Sequence, residues 1–279
     1  INPMRLLGGF TGGVWPADDA TGHGPDGRGF EMKKMVKYGE LTCRTLGGPR
    51  EPGVTPELVV VLCHGYGASG EDLVPIGHEL LQDDPVLGRL TRFVFPAAPL
   101  VLGGYQIGEV TAIESRAWWE LDARRLELTM AGGPPIDYRN DLPPGLDEAA
   151  LSLLGALDEM RDKEGIGWDR IVLAGFSQGG MLATEVALRL PETPAALCVF
   201  SGLLLCQERW REMAAVRTGM PALISHGRQD QLLSFAGAEA LRDLLDEAGC
   251  AVEFLPFDGP HTIPPEGLTR FVRLLRRLA

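Results

Sequence analysis

The residue best suited to chemistry is Ser177, which lies in the pentapeptide GFSQG (Gly175 to Gly179) between an apolar run and a helical pattern. A serine hydroxyl attacks a carbonyl carbon only when a base takes its proton, and an imidazole does so best when a carboxylate fixes its tautomer. Glycines two residues away on either side fit a sharp turn in which bulkier side chains would collide. The G-x-S-x-G spacing is therefore that of an exposed nucleophile with a helix N-terminus behind it. Downstream, Asp230 follows the run PALISHG, and His261 stands in FDGPHTIP just before the last helical stretch. Serine, then acid, then histidine is the chain order used with a nucleophile on such a strand-to-helix turn. The chemistry expected of these three residues is acyl transfer to water through an acyl-enzyme on Ser177.

A glycine-rich turn with an ordinary N-capping serine is the plainer reading of GFSQG. Asp258 is the other acid near His261, but three residues' separation after a strand aims it elsewhere. Among the remaining histidines, His226 reads as a structural hydrogen-bonder at a strand end, and His23 and His78 as solvated or packing residues. His64 opens HGYG (His64 to Gly67), directly after the apolar run LVVVLC. That turn has the form of half an oxyanion hole, in which two fixed backbone N–H groups meet the charge of a tetrahedral intermediate. By position these are the N–H groups of Tyr66 and Gln178, with both side chains incidental to that role.

These residues need elements that bring them to one edge. LVVVLC (Leu58 to Cys63) is apolar throughout and rich in β-branched residues, as expected of a strand covered on both faces. Further strands are expected at RFVFPAAP (92–99), RIVLAG (170–175), AALCVF (195–200), PALISHG (221–227) and AVEFLPF (251–257). Helices fit at about 71–82, 146–163, 178–190, 234–248 and 265–278. Parallel strands require such crossovers, so the alternation predicts an α/β fold with a mostly parallel central sheet and helices on both faces. In open α/β sheets, sites gather at the carboxyl ends of strands, where Ser177, Asp230 and His261 are all expected.

Residues 1–34 are rich in glycine, follow neither apolar period and read as an irregular arm, leaving 35–279 as one domain. Residues 100–145 break the alternation with LVLGGYQIGEV, AWWELD and MAGGPPIDYRNDLPPG. A long glycine- and proline-marked insertion of this kind suits a lid or a binding loop, or a passive surface excursion.

With 38 acidic and 26 basic residues the chain carries a formal charge of −12. That charge disfavours nucleic acid and anionic bilayers. No run approaches the roughly eighteen apolar residues of a membrane span, and the N-terminal region lacks a basic segment followed by a long apolar one. Five scattered cysteines without a CxxC pair read as free, packed thiols in a reducing cytoplasm. The expected partner is a small-molecule ester or acyl thioester, with no integral membrane contact. Self-association into a homodimer is left open.

LCHGYGASGEDL, FVFPAAP, AWWELD, RIVLAGFSQGGMLA, HGRQDQLL and FDGPHTIP together resemble the successive motifs of the phospholipase/carboxylesterase family, which includes the acyl-protein thioesterases. The resemblance covers roughly residues 54–278. It implies the α/β-hydrolase fold with a sheet of seven strands or similar, no cofactor, and hydrolysis of carboxylic esters or acyl thioesters; no metal is expected, and short- to medium-chain esters are the expected substrates. Acyl-protein thioesterase and lysophospholipase activities are the alternatives, and a catalytically silent binding protein of the same fold is the non-enzymatic one. Residue by residue, the resemblance supports Ser177, Asp230 and His261 as catalytic and the backbones of Tyr66 and Gln178 as the oxyanion hole. Trp118 and Trp119 match an aromatic position near the cleft of similar proteins, where one could line an acyl groove or serve as core. The arm and the residues between AWWELD and LPPGLDEA are longer than in compact members.

Overall fold

A computed structural model describes residues 34–49, 53–107 and 110–279. Apart from Lys34, the expected arm over 1–34 lies outside the described residues. The chain begins with an antiparallel pair, β1 (Lys34–Tyr38) and β2 (Leu41–Gly47), followed by β3 (Leu58–Cys63), helices α1 (Val74–Asp83) and α2 (Pro85–Leu90), and β4 (Thr91–Pro96). A separate hairpin follows, β5 (Leu100–Ile107) with β6 (Val110–Ala117), then α3 (Ala123–Met130) and α4 (Leu146–Glu164). The remainder alternates strictly: β7 (Ile171–Phe176), α5 (Gln178–Arg189), β8 (Ala196–Phe200), α6 (Gln207–Ala214), β9 (Pro221–Gly227), α7 (Phe235–Glu247), β10 (Ala251–Phe257) and α8 (Pro265–Leu278).

Eight strands form the main sheet in the order β1-β2-β4-β3-β7-β8-β9-β10. It is parallel from β4 through β10 and antiparallel only where β1 and β2 extend the β4 edge. The mostly parallel sheet agrees with the sequence reading, and the eighth strand is one more than the resemblance implied.

Strand periodicity divides the core between the two faces. Val59, Val61 and Cys63 of β3 join Ile171 and Leu173 of β7 in a cluster with Leu153, Leu157, Leu182 and Val186 from α4 and α5. The intervening Leu58, Val60, Leu62, Val172 and Ala174 face Ile76, Leu80, Phe271 and Leu275 from α1 and α8. All six β3 side chains are buried, so the strand is apolar at every position. Each such aliphatic side chain stabilises the fold by about 1.5–3 kcal/mol relative to exposure. The result is a rigid plate whose parallel strands all present their carboxyl ends to the same edge.

The segment 100–145 is neither a helix–strand repeat nor structureless. Its hairpin is tied to the turn after β3: Gly67 N–H donates to Arg116 O at 2.8 Å and Arg116 N–H to Ala68 O at 2.9 Å. Farther along, Ile136 forms a parallel bridge with Leu233, receiving support from Ile136 N–H to Leu232 O at 2.8 Å and Ser234 N–H to Ile136 O at 2.9 Å. The insertion thus reaches the loops after both β3 and β9.

Candidate active site

Ser177 occupies the one-residue junction between β7 and α5, with φ 55° and ψ −120°. An L-residue reaches positive φ only under strain, of order 1–3 kcal/mol, which the surroundings must hold in place. Here the walls do so. A Cβ on Gly175 would lie 2.2 Å from Gly179 O, and one on Gly179 would lie 2.2 Å from Cys63 O in the neighbouring strand. Both flanking glycines are therefore required by close backbone approach. Ser177 N–H is fixed by Phe200 O at 2.8 Å. The first N–H groups of α5 have no partner within the helix, so the N-terminus behind Ser177 favours negative charge.

Asp230 and His261 come together from loops after β9 and β10. His261 Nδ1 donates to Asp230 Oδ2 at 2.6 Å, and the two residues are 8% and 5% exposed. Asp230 Oδ1 accepts from Leu232 N–H and Leu233 N–H, both at 2.9 Å. Burial pushes the Asp230 carboxyl up, but hydrogen bonds from His226 and His261 outweigh that effect and hold it well below the usual carboxylate range. The two loops approach so closely that a Cβ on Gly227 would be 2.3 Å from Gly259 O. Arg228 N–H donates to Phe257 O at 2.8 Å and Gln229 N–H to Gly259 O at 3.1 Å. Asp258, the other acid considered, points away: its side chain is 83% exposed, 3.8 Å from Arg228.

The imidazole of His261 lies against Phe176, ring centroids 4.9 Å apart, and Phe176 immediately precedes Ser177. The acid and base are thus brought to the end of β7 that carries the serine. Gly65, in the turn after β3, adjoins the same point, since a Cβ there would meet Phe176 at 3.2 Å and Ser177 Cβ at 3.4 Å. The HGYG turn and the GFSQG turn are thus neighbours at the edge of the sheet.

Two parts of this site had no sequence signal. The Gln178 side chain is almost fully buried; its Oε1 accepts from Trp118 N–H at 3.0 Å and its Nε2 donates to Trp119 O at 2.8 Å. Apart from any oxyanion role, which would use only its backbone, this side chain locks the AWWELD segment to the start of α5. Phe176, read only as the variable residue of the motif, is the aromatic support of His261. Trp118 and Trp119 are each 1% exposed. Trp118 Nε1 donates to His64 O at 2.9 Å, and its ring lies 5.4 Å from that of His64, so its visible contacts brace the turn after β3.

His64 is also a buried part of this turn. Its Nδ1 faces Gly65 O at 2.8 Å, and its Nε2 accepts from Ala98 N–H at 3.0 Å. Burial lowers its pKa from the ordinary 6.5 to about 4; the nearby Arg116 charge lowers it further, while the bond to Gly65 O opposes. His78 is exposed on α1, beside Gln82. His23 lies outside the described residues. All five cysteines are unpaired, four of them buried and Cys206 partly so. Burial pushes the thiols up, to about 12 for Cys43 and Cys206, which opposes thiolate chemistry.

Comparison with known proteins bears on the family and the fold. A family described as Phospholipase/Carboxylesterase matches residues 146–278. Acyl-protein thioesterase 1 of Eremothecium gossypii is 31% identical over 213 residues, spanning 74% of this chain and 81% of its own length. A probable carboxylesterase of Oryza sativa subsp. japonica is 31% identical, spanning 75% of this chain and 73% of its own. The crystal structure of esterase PE8 superposes with a TM-score of 0.67 at 29% identity, covering 86% of this chain and 99% of that one. That of Arabidopsis thaliana SOBER1, at 23% identity and a TM-score of 0.60 over 79% and 98% of the two chains, shares the fold.

Proposed function

This chain belongs to the phospholipase/carboxylesterase family and is a serine hydrolase, and from that premise we propose that it cleaves short- to medium-chain carboxylic esters through Ser177, His261 and Asp230. Ser177 Oγ attacks the ester carbonyl while His261 Nε2 takes its proton, the Nδ1–H remaining bonded to Asp230. The backbone N–H groups of Tyr66 and Gln178 stabilise the oxyanion. His261 returns the proton to the departing alcohol, and water repeats the sequence on the acyl-enzyme. The observation that carries this reading is the buried 2.6 Å bond between Asp230 and His261, on the strand edge that holds Ser177 at positive φ.

The insertion over 100–145 is the acyl-binding element of this reading. It carries exposed Leu100, Val101, Leu102, Leu128, Met130 and Leu142, more than half of the exposed large apolar side chains among the described residues. Its bonds to the loops after β3 and β9 set it beside the reacting groups. Among the described residues no helix is long and apolar enough to cross a membrane.

Ser177→Ala should lower kcat for p-nitrophenyl butyrate by about 10⁶-fold, the scale seen when a triad nucleophile is removed, with the fold intact by circular dichroism. Near-normal turnover in that variant would overturn the assignment. Activity should peak between acetyl and octanoyl esters across a chain-length series. Similarity to the thioesterase of Eremothecium gossypii favours acyl thioesters as the second substrate class, and a matched ester and thioester pair separates the two.

A further inference from the structure

Two buried histidines differ in what surrounds them. His64 has one neighbour that accepts, Gly65 O, and one that donates, Ala98 N–H, which a neutral ring with a single proton satisfies. Among the described residues, no donor faces either ring nitrogen of His226, which is fully buried at the end of β9. Its Nδ1 lies 3.1 Å from Gly202 O. Its Nε2 lies 3.3 Å from Leu233 O and 3.2 Å from Asp230 Oδ2. A carbonyl or carboxylate oxygen only accepts, so in this fully buried place a neutral ring would turn one bare lone pair against an oxygen.

We propose that His226 is a positioning residue that carries a proton on each nitrogen and binds Asp230 Oδ2 as a buried cation, so that the acid is held between two imidazoles. The inference deepens the reading above and rests on it for the catalytic role of His261. Asp230 then has four donors: Leu232 N–H, Leu233 N–H, His261 Nδ1–H and His226 Nε2–H. The resting site pairs one carboxylate with one imidazolium and leaves His261 neutral, ready to accept the proton from Ser177. The elements around His226 contribute no competing charge: α7 presents the Phe235 ring at 6.0 Å, and the turn after β8 presents Gly202 O. The titratable groups facing it are Asp230 and, beyond it, His261. Arg228 lies over the Phe235 ring at 5.0 Å.

A cation in this place lowers the affinity of His261 for protons, because the carboxylate that would attract them is already neutralised. In His226→Gln that restraint is removed. The acid limb of kcat/KM for p-nitrophenyl acetate should move to higher pH by about one unit, with a lower plateau. A purely structural histidine would lower the plateau and leave the limb in place, and that result overturns the proposal. ¹⁵N NMR of the histidine-labelled full chain reads the protonation directly at pH 7.5: an imidazolium gives two nearly equal nitrogen shifts, a neutral tautomer two widely split ones. A split pair for His226 overturns the proposal even if the glutamine variant fails to fold. This measurement does not depend on turnover, so an active Ser177→Ala variant would sink the proposed mechanism while leaving the His226 result standing.

Discussion

On the nucleophile side of the site, a Cβ on Gly179 would sit 2.2 Å from the Cys63 carbonyl oxygen, and Ser177 is held at φ 55° by strands that leave it no other path. On the acid side, Asp230 and His261 sit on loops beyond β9 and β10 and are held by hydrogen bonds and charge, four donors converging on one carboxylate. The first half is set by excluded volume, the second by electrostatics. Steric positioning fails abruptly when an atom is added, whereas electrostatic positioning fails when a proton or a donor is lost. Perturbing each half in its own currency separates them.

The largest effect on the acid side is expected from Asp230→Asn, which preserves size but removes the charge and presents the wrong tautomeric partner to His261. Turnover should fall by about 10⁴-fold, and the thermal midpoint should fall too because the buried carboxylate charge is lost, measured by ester hydrolysis and calorimetry. A loss below tenfold would mean that this half is held by shape after all. On the nucleophile side, Gly179→Ala should destabilise the fold by about 3 kcal/mol or more, beyond the usual overpacking range, read as a drop in the urea midpoint. If the variant is as stable as the parent, sterics do not fix the turn.

Acid titration should divide the halves more finely. His64 is buried neutral, so the unfolded chain binds its proton first, and stability falls as pH drops from 6.5 towards 4. The loss amounts to about 3 kcal/mol across that interval, and His64→Gln should flatten it in urea melts taken at each pH. Asp230 has the same sign in a lower pH window, because its carboxyl is also depressed on folding. Its lowered pKa contributes stability that is intact above the ordinary carboxylate range and is lost only as pH falls below it. A His64→Gln protein that still loses the same stability between pH 6.5 and 4 would remove the distinction.

Much of the fold could be read from the chain because its central strands β3, β7 and β8 are apolar at every position and almost wholly buried. β3, β7, β8, β9 and β10 fall on the expected runs within a residue or two, and the long helices α4, α5, α7 and α8 on the expected periods. The short helices α2, α3 and α6 and the hairpin of β5 and β6 gave no comparable signal. Leu100, Val101 and Leu102 on β5 are exposed rather than alternately buried, so neither the strand period nor the helix period governs the sequence there. Glu185 in α5 is fully buried, bonded to Arg189 one turn on and to Arg209 and Trp210 Nε1 of α6. The i,i+4 spacing to Arg189 is legible in the sequence, but the two partners on α6 are not.

The sequence alone determined which residue types were present for acyl transfer, their chain order and the strand ends on which they would fall, because backbone sterics and burial leave local marks. Only the tertiary structure decided that Asp230 meets His261 while Asp258 faces solvent, that Gln178 clamps the tryptophan segment, and that His226 shares the acid. Those outcomes depend on where loops from separate strands converge, and convergence is a property of the whole sheet rather than of any stretch of chain.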